Sequence, residues 1–181
     1  MPLAKEIEYT IEDIYNLPEG KRAELIDGQL YFMAPPSYIH QSIIMSLSNI
    51  IYNYIKSKQG TCKVISAPFA VFLNEDDTTY VEPDISIICD KSKLTKQGCI
   101  GSPDWIIEVV SPSSRQMDYF TKLFKYRSAN VREYWIVDPM KNRILVYQFE
   151  IGTLTEYSFS NSVKVGIYED LTIDFTEISE Y

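Results

Sequence analysis

An α/β fold built on a mixed central β-sheet flanked by helices is the architecture this sequence predicts. Three observations carry it. Segments of helical period alternate with β-branched runs, in the order helix, strands, helix, strands, helix, strands. A strand–helix–strand passage over 104–138 has two continuously apolar strands, as expected of parallel neighbours covered on both faces and joined by a right-handed crossover. Turn signals rather than linkers separate the segments, and no repeat or low-complexity tract interrupts them. One domain over residues 1–181 is therefore expected, long enough for a substantial core.

Taken in order, YTIEDIYNLPEG reads as a short helix with Thr10 as N-cap and Asp13 three residues on, ended by Pro18-Glu19-Gly20. AELIDGQLYFM is a hairpin about Asp27-Gly28. In SYIHQSIIMSLSNIIYNYIKSKQG, Ile39, Ile43, Ile44, Leu47, Ile50, Ile51, Tyr54 and Ile55 form one broad apolar helix face, capped by Ser37 and followed by Gly60. TCKVISAPFAVFL reads as strand interrupted near Pro68, and NEDDTT as an acidic turn. YVEPDISIICD and PDWIIEVVS are strands rich in Ile and Val. SSRQMDYFTKLFKYRSANV is helical, with Met117, Phe120, Leu123 and Phe124 as its apolar face. REYWIVDP is a buried strand ended by Pro139. RILVYQFEIGTLTEYSFS is a hairpin about Gly152, and DLTIDF adds a short strand, so extra strands follow the central unit.

Formal charge is -8, from 17 basic and 25 acidic residues, which weighs against a broad electrostatic grip on a phosphate backbone. It leaves open a local basic patch or a divalent cation over an acidic site. Cys62, Cys89 and Cys99 show no CxxC spacing, so no zinc site is expected. Their odd number is read as free thiols of a reducing, cytoplasmic compartment. The opening MPLAKEIEYT carries no apolar leader, and no stretch approaches the roughly 20 apolar residues of a membrane span.

Chemistry enters with Glu108, a carboxylate in the middle of the apolar run PDWIIEVVSPSS. Burying it ionised requires compensation from a cation of the chain, a metal ion or a proton. By the strand period of two, Asp104, Ile106, Glu108 and Val110 share a face, as do Asp84, Ser86 and Ile88 on the preceding strand. If the strands are neighbours, Asp84 and Glu108 converge, and an oxygen-only pair of this kind suits Mg²⁺ or Mn²⁺. The bland readings are a strand-end Asp84 accepting backbone N–H bonds and a Glu108 in a salt bridge. Asp118, Lys122 and Tyr126 recur every four residues on the next helix. That spacing describes a solvated face held by an ordinary i,i+4 pair. The position, directly after the Glu108 strand and a Ser-Pro-Ser-Ser loop, instead lets Lys122 reach the carboxylates. Arg115, Lys122, Lys125, Arg127 and Arg132 crowd one 18-residue stretch, either an ordinary charged face or a surface for phosphates. His40, the single histidine, sits near the start of the long helix, either as a satisfied helix residue or beside a substrate.

Pro83-Asp84 followed after 23 residues by Glu108-Val109-Val110 resembles the PD-(D/E)XK motif of restriction-endonuclease-like nucleases, with Val110 where that motif has lysine. The ordered set ELIDG, PDISI, IIEVVSPSS, Asp118-xxx-Lys122-xxx-Tyr126 and EYWIVDP, spanning Tyr9 to DLTIDF, resembles the Uma-type (Uma-two) restriction endonucleases. There the lysine lies on the following helix, which maps it to Lys122. Ala23 stands where the family commonly has Tyr. Asn130-Val131 stands for Gly-Val, and Asn130 can take the left-handed helix end.

The resemblance implies a restriction-endonuclease-like fold and metal-dependent hydrolysis of phosphodiester bonds in nucleic acid, most readily DNA, by analogy as a homodimer. Asp84, Glu108 and the Val109 carbonyl would hold Mg²⁺ or Mn²⁺, and Lys122 would orient water or neutralise the phosphate. Glu24 of ELIDG would bind a second metal or its water, or pair with an arginine. Arg115, Lys125, Tyr126 and His40 are the candidate substrate contacts. Two rivals remain: a nuclease-fold binding or assembly module that does not cut, and a hydrolase of small phosphoesters.

Overall fold

The structure is a computed structural model that describes residues 8–178; the opening MPLAKEI, part of the segment read above for a leader, lies outside them. Helix α1, Ile11–Tyr15, starts where Asp13 Oδ2 accepts the Thr10 backbone N–H at 2.8 Å. Strands β1, Ala23–Ile26, and β2, Gln29–Phe32, form the expected hairpin, and both turn residues take positive φ, Asp27 at 49° and Gly28 at 73°. This is the backbone of a type I′ turn, which matches the twist of its strands. Helix α2, Tyr38–Ser57, is capped as read, with the Ser37 hydroxyl accepting the His40 N–H.

Strand β3, Lys63–Ser66, ends before a cis Ala67–Pro68 bond, and β4, Val71–Phe72, follows. After β5, Ile85–Ile88, comes the two-residue β6, Cys99–Ile100, then β7, Trp105–Val109. A π-helical turn, Met117–Lys122, leads directly into α3, Leu123–Ser128. Then follow β8, Glu133–Asp138, the β9 and β10 hairpin, Arg143–Gln148 and Thr153–Tyr157, and the C-terminal pair β11, Ser162–Lys164, and β12, Thr172–Asp174.

The central sheet has six strands in the order β10-β9-β8-β7-β5-β3. Only β7 and β8 pair in parallel, as the 104–138 passage predicts, so the sheet is mixed. Alternation divides it. Ile85, Ile87, Trp105, Ile107, Val109, Trp135 and Val137 pack on one face against Ile43, Leu47 and Ile51 of α2, with Phe159, Val163 and Phe175 of the C-terminal segment. Ile88, Ile106, Val110, Tyr134 and Ile136 pack on the other against Tyr126 and Val131. Glu108 lies between Ile106 and Val110 and therefore shares this second face.

Two expectations are corrected. Phe120 and Phe124, read as part of the buried helix face, are 70% and 67% exposed, while Asp118, Lys122 and Tyr126 are buried. The sheet beneath presents Glu108, and the helix answers it with its polar stripe. The free-thiol reading also fails for two cysteines. Cys62 and Cys89 flank the β3–β5 register pair Lys63↔Ile88, face one another across the strands and are joined as a disulfide; Cys99 is buried and free. The odd count says nothing about a pair that strand register brings together. Among the described residues no helix is long and apolar enough to cross a membrane.

The crossover helix ends with Asn130 at φ 61° and the Val131 N–H bonded to the Tyr126 carbonyl at 3.0 Å. Asn130 thus supplies the left-handed residue that closes a helix end. Replacing Asn130 by Val should lower stability by about 1–2 kcal/mol, whereas Asn130→Gly should match or exceed wild type. Urea midpoints check both, and a Val variant as stable as wild type would contradict the assignment.

Candidate functional site

The site is assembled from five stretches of chain. Strand β1 contributes Glu24. Its placement is fixed by reciprocal 2.7 Å backbone bonds between Leu25 and Tyr80, which lay β1 alongside the segment leading into β5. The end of β5 contributes Asp84 and β7 contributes Glu108; the register Ile85↔Ile107 puts Asp84 opposite Glu108. The π-turn and α3 contribute Asp118, Lys122 and Tyr126. The first turn of α2 contributes His40.

Lys122 is the hub. Its Nζ lies 2.9 Å from Glu24 Oε2, 2.9 Å from Glu108 Oε1 and 3.8 Å from Asp118 Oδ1. Glu108 Oε1 also accepts the Tyr126 hydroxyl at 2.6 Å, and Glu108 Oε2 accepts the Asp84 backbone N–H at 3.3 Å. Asp84 Oδ2 returns the favour across the strands, accepting the Val109 N–H at 2.7 Å, and lies 3.2 Å from His40 Nε2. Glu24 Oε1 accepts the Glu82 N–H at 2.9 Å, and Asp118 Oδ2 accepts the Ser114 hydroxyl at 2.5 Å. The remaining Asp118 oxygen, Oδ1, is buried without a hydrogen-bond partner.

The electrostatics follow from this inventory. Burial pushes the Glu108 carboxyl well up; Lys122 opposes that shift, and Asp84, Asp118 and Glu24 add to it. Asp118 is raised to about 7, by burial first, against the pull of Lys122 and the Ser114 hydrogen bond. Burial alone would lower Lys122, but Glu108, Glu24 and Asp118 outweigh it and hold the ammonium charged. Burial likewise works against the His40 cation, and Asp84, Gln41 and the Val109 backbone overcome it, so its pKa rises.

A cavity of about 640 Å³ opens over this cluster, and Glu24, His40, Asp84, Glu108, Val109 and Lys122 all line it. Arg115, Lys125 and Tyr126 do not. Tyr126 is fully buried beneath Glu108, Lys125 pairs with Asp27, and Arg115 Nε lies 3.8 Å from Asp138. Arg132, also in the basic stretch, binds Glu150 and Asp104. Four of the five basic residues are thus drawn into separate ion pairs, and of the five only Lys122 lines the cavity. Glu24 pairs with Lys122, and the nearby arginine, Arg22, takes Glu82 instead.

Asp118 and Ser114 complete the cluster and were not singled out for it from the sequence. The SPSS loop before an i,i+4 Asp-Lys pair was the available signal. Among the described residues, no three or more His, Cys, Asp or Glu side chains are grouped to hold a metal ion by themselves. A hard divalent cation needs fewer: one or two carboxylates with backbone oxygen and water suffice for Mg²⁺. Asp84 and Glu108 face one another from adjacent strands, and with Glu24 and Asp118 nearby the carboxyl groups outnumber the one ammonium and one imidazole, so this oxygen-rich donor set fits such an ion.

Known proteins resemble this chain in sequence and in fold. Residues 11–175 match the Uma2 family, described as "Putative restriction endonuclease". An uncharacterized protein of Synechocystis sp., slr1290, is 27% identical over 130 residues, 71% of this chain and 67% of its own. A crystal structure of "a putative nuclease belonging to DUF820" from Anabaena variabilis superposes with a TM-score of 0.75 at 20% identity, covering 93% of this chain and 96% of the other. At that identity the likeness is one of fold.

Asp118 yields a pH prediction. Its folded pKa of about 7 lies above the ordinary 3.8, so the fold favours its protonated form. The stability this contributes is complete below pH ~4 and lost as pH rises through ~7. Asp118→Asn should therefore gain stability relative to wild type between pH 5 and 8, read as a difference in melting temperature that grows with pH. A difference independent of pH would contradict the assignment.

Proposed function

The chain belongs to the Uma2 family of restriction-endonuclease-like proteins, and from that premise we propose that it is a metal-dependent endonuclease hydrolysing phosphodiester bonds in nucleic acid, with DNA as the substrate. The observation that supports this reading is the meeting of Asp84, Glu108 and Lys122 at the floor of one cavity, although they come from three separate elements. Asp84 and Glu108, with the Val109 carbonyl, would hold Mg²⁺ or Mn²⁺. Bound there, such an ion acidifies a water and offsets charge on the phosphorane-like transition state.

The chain's own groups do the rest. Lys122 keeps its proton because three carboxylates surround it, and it offers that charge to a non-bridging oxygen of the scissile phosphate. Tyr126 and Lys122 fix the Glu108 carboxylate from one side, leaving Oε2 toward Asp84. His40 steadies Asp84 from α2. Glu24 anchors Lys122 from the hairpin and is the acid nearest to serve a second ion or its water.

The rival of a silent binding module rests on one observation: Glu108 Oε1 is already engaged by both Lys122 and Tyr126, as in a purely structural ion pair. Metal response separates the two. A native-only metal site raises the melting temperature by mass action, and Asp84→Asn should remove that rise. In a Mn²⁺-supported assay on mixed DNA and RNA, Glu108→Gln should lose at least about 100-fold in rate, on the scale of one transition-state electrostatic contact, while remaining folded in chelator. A Glu108→Gln protein that cuts like wild type would sink the reading, and turnover of small phosphoesters alone would reassign the substrate.

A further inference from the structure

We infer that the site takes its nucleic acid as an unpaired strand, gripped by base stacking on Tyr31 and Phe32 rather than by a phosphate-binding surface suited to duplex. This rests on the nuclease reading above and names its substrate class.

The first support is where the aromatics lie. In the β1–β2 hairpin, Tyr31 is the direct register partner of Glu24, and cross-strand partners share a face. Glu24 reaches Lys122 at 2.9 Å, so Tyr31 stands beside the reactive cluster. Tyr31 and Phe32 both line the cavity and are 38% and 65% exposed, so their rings are open to a ligand there. Met33, Pro35 and Pro36 extend the same apolar wall.

The second support is the state of the cations. Of the basic groups lining the cavity, Arg22 is engaged by Glu82, Lys122 by Glu24 and Glu108, and His40 faces Asp84. Lys125, at the hairpin turn, is engaged by Asp27. Duplex binders neutralise several phosphates with Lys and Arg, and this mouth, on a chain of charge -8, is not furnished for that. Exposed rings instead offer stacking, which an unpaired base can make, a base paired inside a duplex cannot, and any base identity satisfies.

The third support is depth. Glu108 and Lys122 are only 3% and 4% exposed, so a scissile phosphate must enter the cavity to meet them. An unpaired strand bends into a recess more readily than a stiff duplex. The Ser111-Pro112-Ser113-Ser114 loop also lines the cavity and adds no charge to it; its Ser111 and Ser114 hydroxyls are spent within the loop and on Asp118.

The experiment is fluorescence anisotropy on the full chain, with Ca²⁺ replacing the catalytic ion. The probes are labelled dT12, rU12 and a 12-base-pair duplex. The inference expects a single strand bound at least 10-fold tighter than duplex. Tyr31→Ala and Phe32→Ala should each weaken single-strand binding by roughly 5- to 150-fold, with melting temperature unchanged and Tyr31→Phe close to wild type. The dT12 and rU12 arms tell which sugar the strand carries. Duplex bound as tightly as single strand, no binding to any probe, or alanine variants that bind normally would overturn it. The outcome is separable from the nuclease reading. Cleavage of duplex that Tyr31→Ala leaves untouched retains the nuclease and removes the stacking platform. Stacking-dependent binding with no metal-dependent cleavage retains the platform and removes the nuclease.

Discussion

One ammonium, that of Lys122, holds three buried carboxyl groups that would otherwise repel one another. Desolvating any of these charges costs several kcal/mol, and only close, hydrogen-bonded pairing offsets that. The cluster therefore dictates much of the architecture around it. Glu24 has to arrive from a hairpin, Glu108 from the middle of a buried strand, and Lys122 from the helix that crosses over it. Each position is set by backbone pairing that leaves little freedom: the Leu25–Tyr80 bonds for the hairpin, the β5–β7 register for Asp84 and Glu108, and the β7–β8 parallel crossover for the helix.

The same constraint explains the helix that turned over. Burying Phe120 and Phe124 would have gained apolar contact but left Glu108 facing hydrocarbon. The polar stripe goes inward instead, and Tyr126 gives the inner face its apolar body while its hydroxyl serves Glu108. The π-turn at Met117–Lys122 lies in this stretch, a departure from regular helix of the kind often found where side chains are positioned for a task.

How much of this was legible follows the range of the signals involved. Turns and caps were readable because they are local: Thr10 with Asp13, Asp27-Gly28, Ser37 and Asn130 each act on neighbouring backbone. Strand faces were readable because alternation is strict, which placed Glu108 with Ile106 and Val110. What failed depends on register between distant segments. The Cys62–Cys89 pair, the two-residue strand β6, and β11 carry no periodic pattern of their own. Glu133 is a further case. It is fully buried on β8, where it accepts the Trp135 indole N–H and the backbone N–H groups of Gly166 and Ile167, and so ties the C-terminal segment to the sheet. In the candidate site, Asp84, Glu108, Glu24 and Lys122 were legible as a set, and Asp118 was not. The basic stretch was not, because the partners that absorb it lie elsewhere in the chain.

If the ammonium is the keystone, its removal must cost most when the acids around it are charged. The direct measurement is the unfolding free energy of Lys122→Met at pH 8 and at pH 5. A loss of about 3–5 kcal/mol at pH 8, the usual cost of stripping one partner from a buried ion pair, should shrink markedly at pH 5, where Asp118 and Glu108 can take up protons. A loss below about 1 kcal/mol, or one equal at both pH values, would mean that Lys122 does not hold the site together.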